Sequence, residues 1–199
     1  MRAVVGLGNP GPRYADTRHN VGFRVVEALA RRWGGPEFDR RRYLLLAEAR
    51  RAGDRILLVK PRTYMNRSGE AVARLRDAYT LSPRDLVVAH DDMDLVPTSV
   101  RVKEGGGSGG HRGLESVIAA LGSGDFFRVR VGIGRPPPAV DPVEYVLQPF
   151  SPAEAADMRL AAERAAQAVE ALLEEGPQKA MSLFNVRPAR RIDEGEKGP

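Results

Sequence analysis

Short apolar strands alternate with amphipathic helices along most of this chain, and this alternation restricts its fold more than any other feature. Arg2–Leu7 predicts a buried strand, and apolar residues recur at helical spacing from Gly22 to Trp33. Tyr43–Arg51 and Arg55–Lys60 are typical of two strands joined by a tight hairpin turn at Ala52-Gly53-Asp54. The pattern predicts a single α/β domain with a twisted mixed β-sheet flanked by helices.

The rest of the chain continues this alternation. Further predicted elements are strands over Leu86–Ala89, Val100–Lys103 and Phe127–Ile133, and helices over Ser68–Tyr79, Leu114–Leu121, Pro152 to Gly176 and a last segment ending near Asn185. Residues 136–142 are predicted to form a loop. We expect one domain over residues 1–185 and a disordered tail over residues 186–199, which are rich in Pro, Arg, Glu and Gly.

The composition excludes several classes of protein. The chain has 199 residues and no cysteine, so it can form no disulfide framework, thiolate zinc site or cysteine nucleophile. Apolar runs such as Leu44–Ala47 are too short to span a bilayer. There is no signal-peptide pattern at the N-terminus, and we therefore expect a soluble cytoplasmic protein.

The positive charge is concentrated in one part of the chain. The net charge is +5, but residues 1–135 carry 24 basic and 15 acidic side chains, whereas residues 136–199 carry 7 and 11. Most basic residues are arginine, whose planar guanidinium suits phosphate groups, so nucleic acid is one possible partner. A genome bias or a high growth temperature would explain the same composition without any such partner.

Histidine and asparagine are scarce, and they cluster in four loops. The loops are Gly8–Asn20, Pro61–Asn66, His90–Asp94 and Glu104–Gly113, and they contain all three histidines (His19, His90, His111) and three of the four asparagines (Asn9, Asn20, Asn66). Each loop follows a predicted strand. In open α/β sheets the ligand site lies beyond the carboxyl ends of the strands, so we expect these loops to form one site.

His19 and Asp91 are the candidate catalytic pair. An isolated histidine is usually structural, but His19 begins a helix beside the predicted site, and Asp91 ends another strand. A histidine oriented by a carboxylate is the standard general base for activating water. Asp91 and Asp92 could alternatively bind magnesium, but neighbouring strand residues point to opposite faces. We therefore expect Asp91 to face His19 and Asp92 to face solvent.

Two glycine-rich segments match known motifs. Gly6–Gly11 fits the dinucleotide-binding pattern, but Pro10 and Pro12 delay the helix that should follow directly, so that interpretation fails. Gly106–Gly110 fits the nucleophile elbow around Ser108, and a His19–Asp91–Ser108 triad stays open. A glycine loop that lets the backbone approach a ligand closely is the simpler interpretation.

Seven segments together resemble one family. They are VGLGNPG (5–11), Tyr14, TRHNVG (17–22), KPRTYMNRSG (60–69), HDDMD (90–94), GGHRGL (109–114) and FRVRVGIGRP (127–136). In this order and spacing they are similar to bacterial peptidyl-tRNA hydrolases over about residues 1–185. The resemblance implies an esterase that releases N-blocked peptides from tRNA so that the tRNA is recycled. It also implies a monomer that works without metal or cofactor and away from membranes.

The resemblance assigns a role to each site residue. His19 would be the catalytic base, Asp91 would orient it, and Asn9 and Asn66 would hold the substrate and help to stabilise the oxyanion. The implied substrate and tRNA contacts are Tyr14, Tyr64 and Met65 in the groove, Lys103 and Arg130 on a tRNA phosphate, and His111 and Arg112. The family usually has Asn where this chain has Arg112, which could instead contact the 3′-terminal phosphodiester.

Two alternatives to this function remain. The same fold could serve as an RNA-binding protein without catalysis, as in plant organellar splicing factors that resemble this family. A serine esterase that uses Ser108 is the other alternative.

Overall fold

A seven-stranded mixed sheet forms the centre of the computed structural model, which describes residues 1–186. The strands are β1 (Arg2–Gly6), β2 (Asp39–Arg40), β3 (Leu44–Arg51), β4 (Asp54–Pro61), β5 (Leu86–Asp92), β6 (Val100–Glu104) and β7 (Phe127–Gly132), in the spatial order β2-β3-β4-β1-β5-β7-β6. β1, β4, β5 and β7 are parallel, while β2, β3 and β6 pair antiparallel with their neighbours. The predicted mixed α/β sheet is confirmed.

Helices cover both faces of the sheet. They are α1 (Val21–Arg32), α2 (Ser68–Tyr79), α3 (Arg112–Leu121), α4 (Pro142–Leu147), α5 (Pro152–Glu174) and α6 (Pro177–Phe184). Side chains alternate along each strand, so Val4 packs on the face under α1 and α5, whereas Val5 packs on the opposite face under α2 and α3. This alternation divides the apolar core into two layers.

The second face has no helix over β6 and β7 and is basic there. Val129 on β7 and Val102 on β6 point into the first core layer, so Arg128, Arg130 and Lys103 point to the second face. The strand register sets Lys103 opposite Arg128 and Arg101 opposite Arg130. Like charges directly opposite each other destabilise a sheet, so this basic strip (Arg101, Lys103, Arg128 and Arg130) indicates a surface adapted to an anion.

The glycine loop reaches the site by a different route from the predicted one. Because β6 is antiparallel to β7, Glu104 lies beside Phe127 at the amino end of the parallel strands. The expectation that this loop starts at the shared carboxyl edge is therefore wrong. Residues 105–111 instead run back along the second face, where the Arg128 guanidinium donates to the carbonyls of Gly106 and Gly107.

Most predicted elements are confirmed, and two short ones are new. β2 has two exposed polar residues, and α4 has six residues, which is too few for a hydrophobic period. Asp141 caps α4 by accepting hydrogen bonds from the backbone of Val143 and Glu144. Apart from Val186, the predicted disordered tail lies outside the described residues. Within residues 1–186, no helix is both long and apolar enough to cross a membrane.

Candidate active site

A cavity of ≈ 910 Å³ opens where the four polar loops meet. All eleven predicted site residues line it, namely Asn9, Tyr14, His19, Tyr64, Met65, Asn66, Asp91, Lys103, His111, Arg112 and Arg130. The first three loops follow the carboxyl ends of the parallel strands β1, β4 and β5, as the topology rule for such sheets requires. The fourth reaches the cavity through the detour along β7.

His19 is held by Asp91 in the floor of this cavity. His19 lies in a short 3-10 turn (Arg18–Asn20) before α1, and its Nδ1 is 2.9 Å from both carboxylate oxygens of Asp91. An ionised carboxylate only accepts hydrogen bonds, so Nδ1 carries the proton and Nε2 keeps its lone pair. Nε2 has no hydrogen-bond partner within the described chain.

The pKa of His19 is set by opposing influences. Burial is the largest and lowers the pKa, but the charge of Asp91 and its hydrogen bond together outweigh burial and hold the pKa above its ordinary value of 6.5. The positive charge of Arg112 opposes this rise. The imidazole of His19 is therefore more basic than that of an ordinary histidine, although the side chain is largely buried.

His111 holds Asp91 from the other side. Its Nε2 lies 2.9 Å from Oδ1 of Asp91, and its Nδ1 accepts hydrogen bonds from the backbone N–H groups of Gly113 and Leu114. These contacts fix the neutral tautomer with the proton on Nε2. Burial alone would raise the pKa of the Asp91 carboxyl, but His19 and His111 hold it well below its ordinary value.

His90 is buried beneath this arrangement. Its Nδ1 donates to the backbone carbonyl of Asp91 at 2.7 Å, and its ring meets that of His111 edge-on, with 4.9 Å between the ring centroids. Burial lowers the pKa of His90 to about 3, so the ring is neutral. Of the three histidines, only His19 has a ring nitrogen that is both unpartnered in the described chain and not fully buried.

Asn9 is fixed by hydrogen bonds within the first loop and ties that loop to the second. The backbone N–H of Asn9 donates to Oδ1 of Asn20 at 2.7 Å, and Nδ2 of Asn20 donates back to the carbonyl of Asn9 at 2.9 Å. Oδ1 of Asn9 accepts from the backbone N–H of Met65 at 2.8 Å. These bonds fix which side-chain atom of Asn9 is oxygen and place Asn66, the next residue after Met65, at the cavity.

Arg18 was missed by the sequence analysis. Its buried guanidinium donates to Glu154 at 2.8 Å and to the carbonyl of Pro149 at 3.0 Å. It also lies 4.5 Å from the ring centroid of Tyr145 and 5.2 Å from that of Phe150. Arg18 therefore joins the turn that holds His19 to the segment that runs from α4 to the start of α5, an attachment that no local sequence pattern indicates.

One end of the cavity is aromatic and apolar. Tyr14 and Tyr64 meet edge-to-face with their ring centroids 6.4 Å apart, and Met65 is buried beside them. Val143 and Leu147 of α4 add further apolar side chains to the lining of the cavity. Asn66 is exposed at the mouth of the cavity. An extended chain with apolar side chains fits such a surface.

The opposite end of the cavity contains part of the basic strip. Lys103 is exposed, and Nε of Arg130 donates to Oδ2 of Asp92 at 2.7 Å. The expectation that Asp92 faces solvent is therefore wrong, because the strip offers it a cation on the adjacent strand. Asp92 neutralises only one of the strip's four basic residues.

The side chains that could bind a metal ion are already joined to one another. Ligand atoms of His19, Asp91 and His111 all lie within 4.8 Å of one another. Here both imidazoles donate a proton to Asp91, so a metal ion would have to displace both protons. The structure offers no chelating pair for magnesium in Asp91 and Asp92, whose side chains contact His19 and Arg130 on opposite faces of β5.

Ser108 does not form the nucleophilic triad left open by the sequence. Its Oγ lies 3.4 Å from Glu115 and accepts a hydrogen bond from the backbone of Gly110. In the part of the chain described, no imidazole nitrogen forms a hydrogen bond with this hydroxyl; His111 meets Ser108 only through its backbone N–H, which donates to the Ser108 carbonyl. The nucleophile-elbow pattern in this loop therefore lacks the base that a serine nucleophile requires.

Residues 3–193 match the sequence model of a family described as peptidyl-tRNA hydrolase. This chain belongs to the peptidyl-tRNA hydrolase family. A peptidyl-tRNA hydrolase of Anaeromyxobacter dehalogenans (strain 2CP-C) is 50% identical over 188 residues, which is 94% of this chain and 97% of that protein. A peptidyl-tRNA hydrolase of Mycobacterium tuberculosis (strain ATCC 25177 / H37Ra) is 49% identical over 180 residues, which is 90% of this chain and 94% of that protein.

Solved structures of the family share the fold. The crystal structure of peptidyl-tRNA hydrolase from Acinetobacter baumannii superposes with a TM-score of 0.87 at 35% identity, covering 95% of this chain and 97% of that one. The resemblance inferred from the seven segments is confirmed, as is the fold that it implied.

Arg112 adds a positive charge to the cavity. It is the first residue of α3, is exposed at the cavity, and has no ion pair with any residue in the range 1–186. Its charge acts on His19 directly, since it lowers the pKa of that imidazole. An asparagine at this position would not exert this influence.

Proposed function

We propose that this member of the family hydrolyses the ester that joins a peptide to tRNA, and that it thereby recycles the tRNA. The observation that carries the proposal is the His19–Asp91 pair, 2.9 Å apart, in a cavity with an aromatic end and a basic end. A peptidyl-tRNA has a peptide on one side of its scissile ester and a polyanion on the other. The two ends of the cavity match those two parts.

His19 would act as the general base. Nε2 takes a proton from a water molecule whose oxygen adds to the ester carbonyl, and Asp91 stabilises the imidazolium that forms. The tetrahedral intermediate then expels the ribose oxygen, which receives the proton from Nε2. General base catalysis of this kind contributes about 10²–10⁴-fold in rate. The pKa of His19 above its ordinary value suits an acceptor that must later return the proton.

The oxyanion would be stabilised by amide groups at the cavity. Asn66 is exposed there, and Asn9 uses its Oδ1 on Met65, which leaves its Nδ2 hydrogens for the substrate. One oxyanion donor contributes about 10²–10³-fold in kcat. The hydrogen bond from Met65 holds Asn9 still, so the donor needs little reorganisation as charge develops.

The basic strip would bind the tRNA. Lys103 and Arg130 would bind one phosphate, and the hydrogen bond from Arg130 to Asp92 would orient its guanidinium. Arg112 lies nearer to His19 and would contact the 3′-terminal phosphodiester. All these groups come from residues 1–185 of one chain, so the site needs no second subunit. We also propose that the protein is a monomer without metal or cofactor, as the family resemblance implies, and that it is cytoplasmic.

The decisive experiment measures hydrolysis of an N-acetylaminoacyl-tRNA by the wild type, His19→Asn and Asn66→Ala. Asn at position 19 can still donate to Asp91 but cannot act as a base. We expect kcat to fall about 10²–10⁴-fold in His19→Asn and about 10²–10³-fold in Asn66→Ala. An unchanged kcat in His19→Asn would exclude this mechanism.

Two further measurements separate the alternatives. Binding of deacylated tRNA by His19→Asn should match the wild type, because the basic strip is intact. A wild type that binds tRNA but hydrolyses no ester would be a non-catalytic RNA-binding protein. Ser108→Ala should retain kcat, whereas complete loss of hydrolysis in that variant would indicate a serine esterase.

A further inference from the structure

A second cavity, of ≈ 990 Å³, lies on the far side of Asn9 from His19. Asn9 lines both cavities, and the loop after it lines the second through Pro10, Gly11, Ala15 and Asp16. The other walls come from α1, α5 and the sheet edge formed by β2, β3 and β4. This cavity plays no part in the proposed hydrolysis.

Basic side chains dominate the second cavity, which we call the arginine cleft. Its six basic residues are Arg24, Arg31, Arg40, Lys60, Arg62 and Arg159. Three acidic residues also line it, and each of them pairs with one of these cations: Asp16 with Arg24 at 2.9 Å, Glu163 with Arg31 at 3.0 Å, and Glu27 with Lys60 at 2.6 Å. The cleft keeps a surplus of three positive charges.

The surplus resides on Arg40, Arg62 and Arg159. Arg62 donates to the carbonyl of Arg41 at 2.6 Å, which holds its guanidinium in place without neutralising it. Arg40 and Arg159 are exposed and form no ion pair with any described residue. They lie on β2 and on α5, so they belong to different walls of the cleft. No carboxylate within residues 1–186 forms an ion pair with these three guanidinium groups.

The position of the cleft relates it to the peptide rather than to the tRNA. The basic strip that would bind the tRNA lies on β6 and β7, at one edge of the sheet. The arginine cleft lies at the opposite edge, beyond β1 and β4. Because the ester would be cleaved at His19 and the basic strip would hold the tRNA, the peptide would lie on the other side of His19. Tyr14 of the first cavity and Gly11 of the cleft belong to the same loop, so that side adjoins the cleft.

We propose that the arginine cleft binds acidic side chains of the peptide, a few residues upstream of the ester. This inference rests on the function proposed above and adds a substrate preference to it. An extended chain covers roughly 3.3–3.6 Å per residue, so four to six residues span about 13–22 Å. A peptide of that length passes Asn9 and presents its side chains to Arg40 and Arg159.

A peptide fits the cleft better than a nucleic acid does. A phosphodiester backbone carries a charge at every residue, so some of its phosphates would have to lie beside the three ion-paired carboxylates of the cleft, which are Asp16, Glu27 and Glu163. A peptide carries charge only on its side chains. Its acidic residues can therefore lie beside the three guanidinium groups that have no carboxylate partner among the described residues. Phe23 and Leu45 also line the cleft and suit the apolar parts of a peptide.

The test uses three N-acetylhexapeptidyl-tRNAs with the same tRNA and the same three residues next to the ester. The three residues farthest from the ester are Asp, Ser or Lys. The wild type should hydrolyse the Asp substrate with a kcat/KM about 2–10-fold higher than the Lys substrate at low salt, as expected for two exposed ion pairs. The ratio should fall toward one as salt is added.

The charge-reversal variant Arg40→Glu/Arg159→Glu should invert this order, with Lys preferred over Asp. The matched control is Arg50→Glu/Arg164→Glu, which reverses two exposed arginines, one on β3 and one on α5, that line neither cavity. The control should retain the wild-type preference for Asp. Using the ratio between substrates cancels any loss of folded enzyme.

Three results would contradict the proposal. One is equal kcat/KM for all three substrates in the wild type. Another is an unchanged Asp-to-Lys ratio in Arg40→Glu/Arg159→Glu. The third is that Arg40→Glu/Arg159→Glu raises KM equally for all three substrates and also binds deacylated tRNA more weakly than the wild type does. This result would indicate that the cleft contacts RNA. Failure of the proposed hydrolysis is distinct, because the wild type would then cleave none of the three.

Discussion

His111 donates its Nε2 proton to Asp91 across 2.9 Å while its Nδ1 caps the first turn of α3. One side chain thus joins the catalytic carboxylate to the end of the glycine loop. The resemblance implied a substrate contact for His111, but both of its ring nitrogens are engaged within the protein. We infer that His111 is a positioning residue that acts on His19 through Asp91.

Two variants at this position separate the cap from the contact with Asp91. Asn is a good helix cap but too short to reach Asp91, whereas Ala provides neither interaction. We expect His111→Asn and His111→Ala to lose kcat to a similar extent, on the order of 10-fold, because a hydrogen bond to a charged group is worth about 1.5–3 kcal/mol.

Thermal or urea unfolding of the same variants checks the assignment. Only His111→Ala should lose the free energy of the cap, about 1 kcal/mol. A His111→Asn enzyme with wild-type kcat would contradict the positioning role. Loss of KM alone, with kcat unchanged, would instead favour direct contact with substrate.

The acid limb of the pH–rate profile should follow His19. The base must be neutral, so kcat/KM falls as the pH drops through the pKa of His19, which lies above 6.5. Arg112→Asn removes a charge that lowers this pKa, so the acid limb should move to higher pH. Asp91→Asn removes the charge that raises it, so burial dominates and the limb should move to lower pH, at a reduced maximal rate.

A distant charge provides the control for the pH experiment. Arg50→Asn removes an exposed arginine of β3 that lines neither cavity, and its profile should superpose on that of the wild type. If Arg112→Asn moved the acid limb to lower pH, or left it in place, the influence of Arg112 on His19 would be refuted.

Lys103 should contribute to tRNA affinity and not to the chemical step. It is exposed on the basic strip and has no ion pair with any of residues 1–186. Removal of one contact between a lysine and a phosphate should reduce the magnitude of the salt dependence of tRNA binding. The slope of the logarithm of the association constant against the logarithm of the salt concentration should become smaller by about 0.7–0.9. We therefore expect Lys103→Ala to raise KM at low salt and to flatten the salt dependence, while single-turnover kcat stays constant. An unchanged slope would exclude a phosphate contact.

Local sequence patterns predicted the features that depend on residues close together in the sequence or on residues at the ends of strands. The hairpin at residues 52–54, the extent of α2 and the loop positions of His19 and Asp91 all follow from periodicity and from the topology of parallel strands. The cavity brings these residues together with others, such as Tyr14, Tyr64 and Met65, that only the resemblance to the family indicated.

The missed features depend on long-range pairing. The direction of β6 relative to β7 carries no local signal, yet it determines the path of the glycine loop. The pairing of β5 with β7 is equally long-range, and it places Arg130 beside Asp92. Arg18 contacts residues more than 125 positions away, and a buried arginine is uncommon without such partners. These contacts become apparent only once the chain has folded.

Arg18 offers the last test, because it connects the turn of His19 to α4. Arg18→Met keeps much of the side-chain volume but removes the hydrogen bonds to Glu154 and Pro149. The Arg18–Glu154 pair is partly exposed on the Glu154 side, so we expect a loss of only about 1–3 kcal/mol in the free energy of unfolding. Below the unfolding transition, kcat should fall while KM for N-acetylaminoacyl-tRNA changes little, because His19 is displaced and the basic strip is not. The matched control Arg164→Met removes an arginine that lies 5.4 Å from the ring centroid of Phe184 on the surface, and it should leave kcat at the wild-type value. A stability loss in Arg18→Met without any fall in kcat would mean that Arg18 supports the fold but does not position the catalytic base.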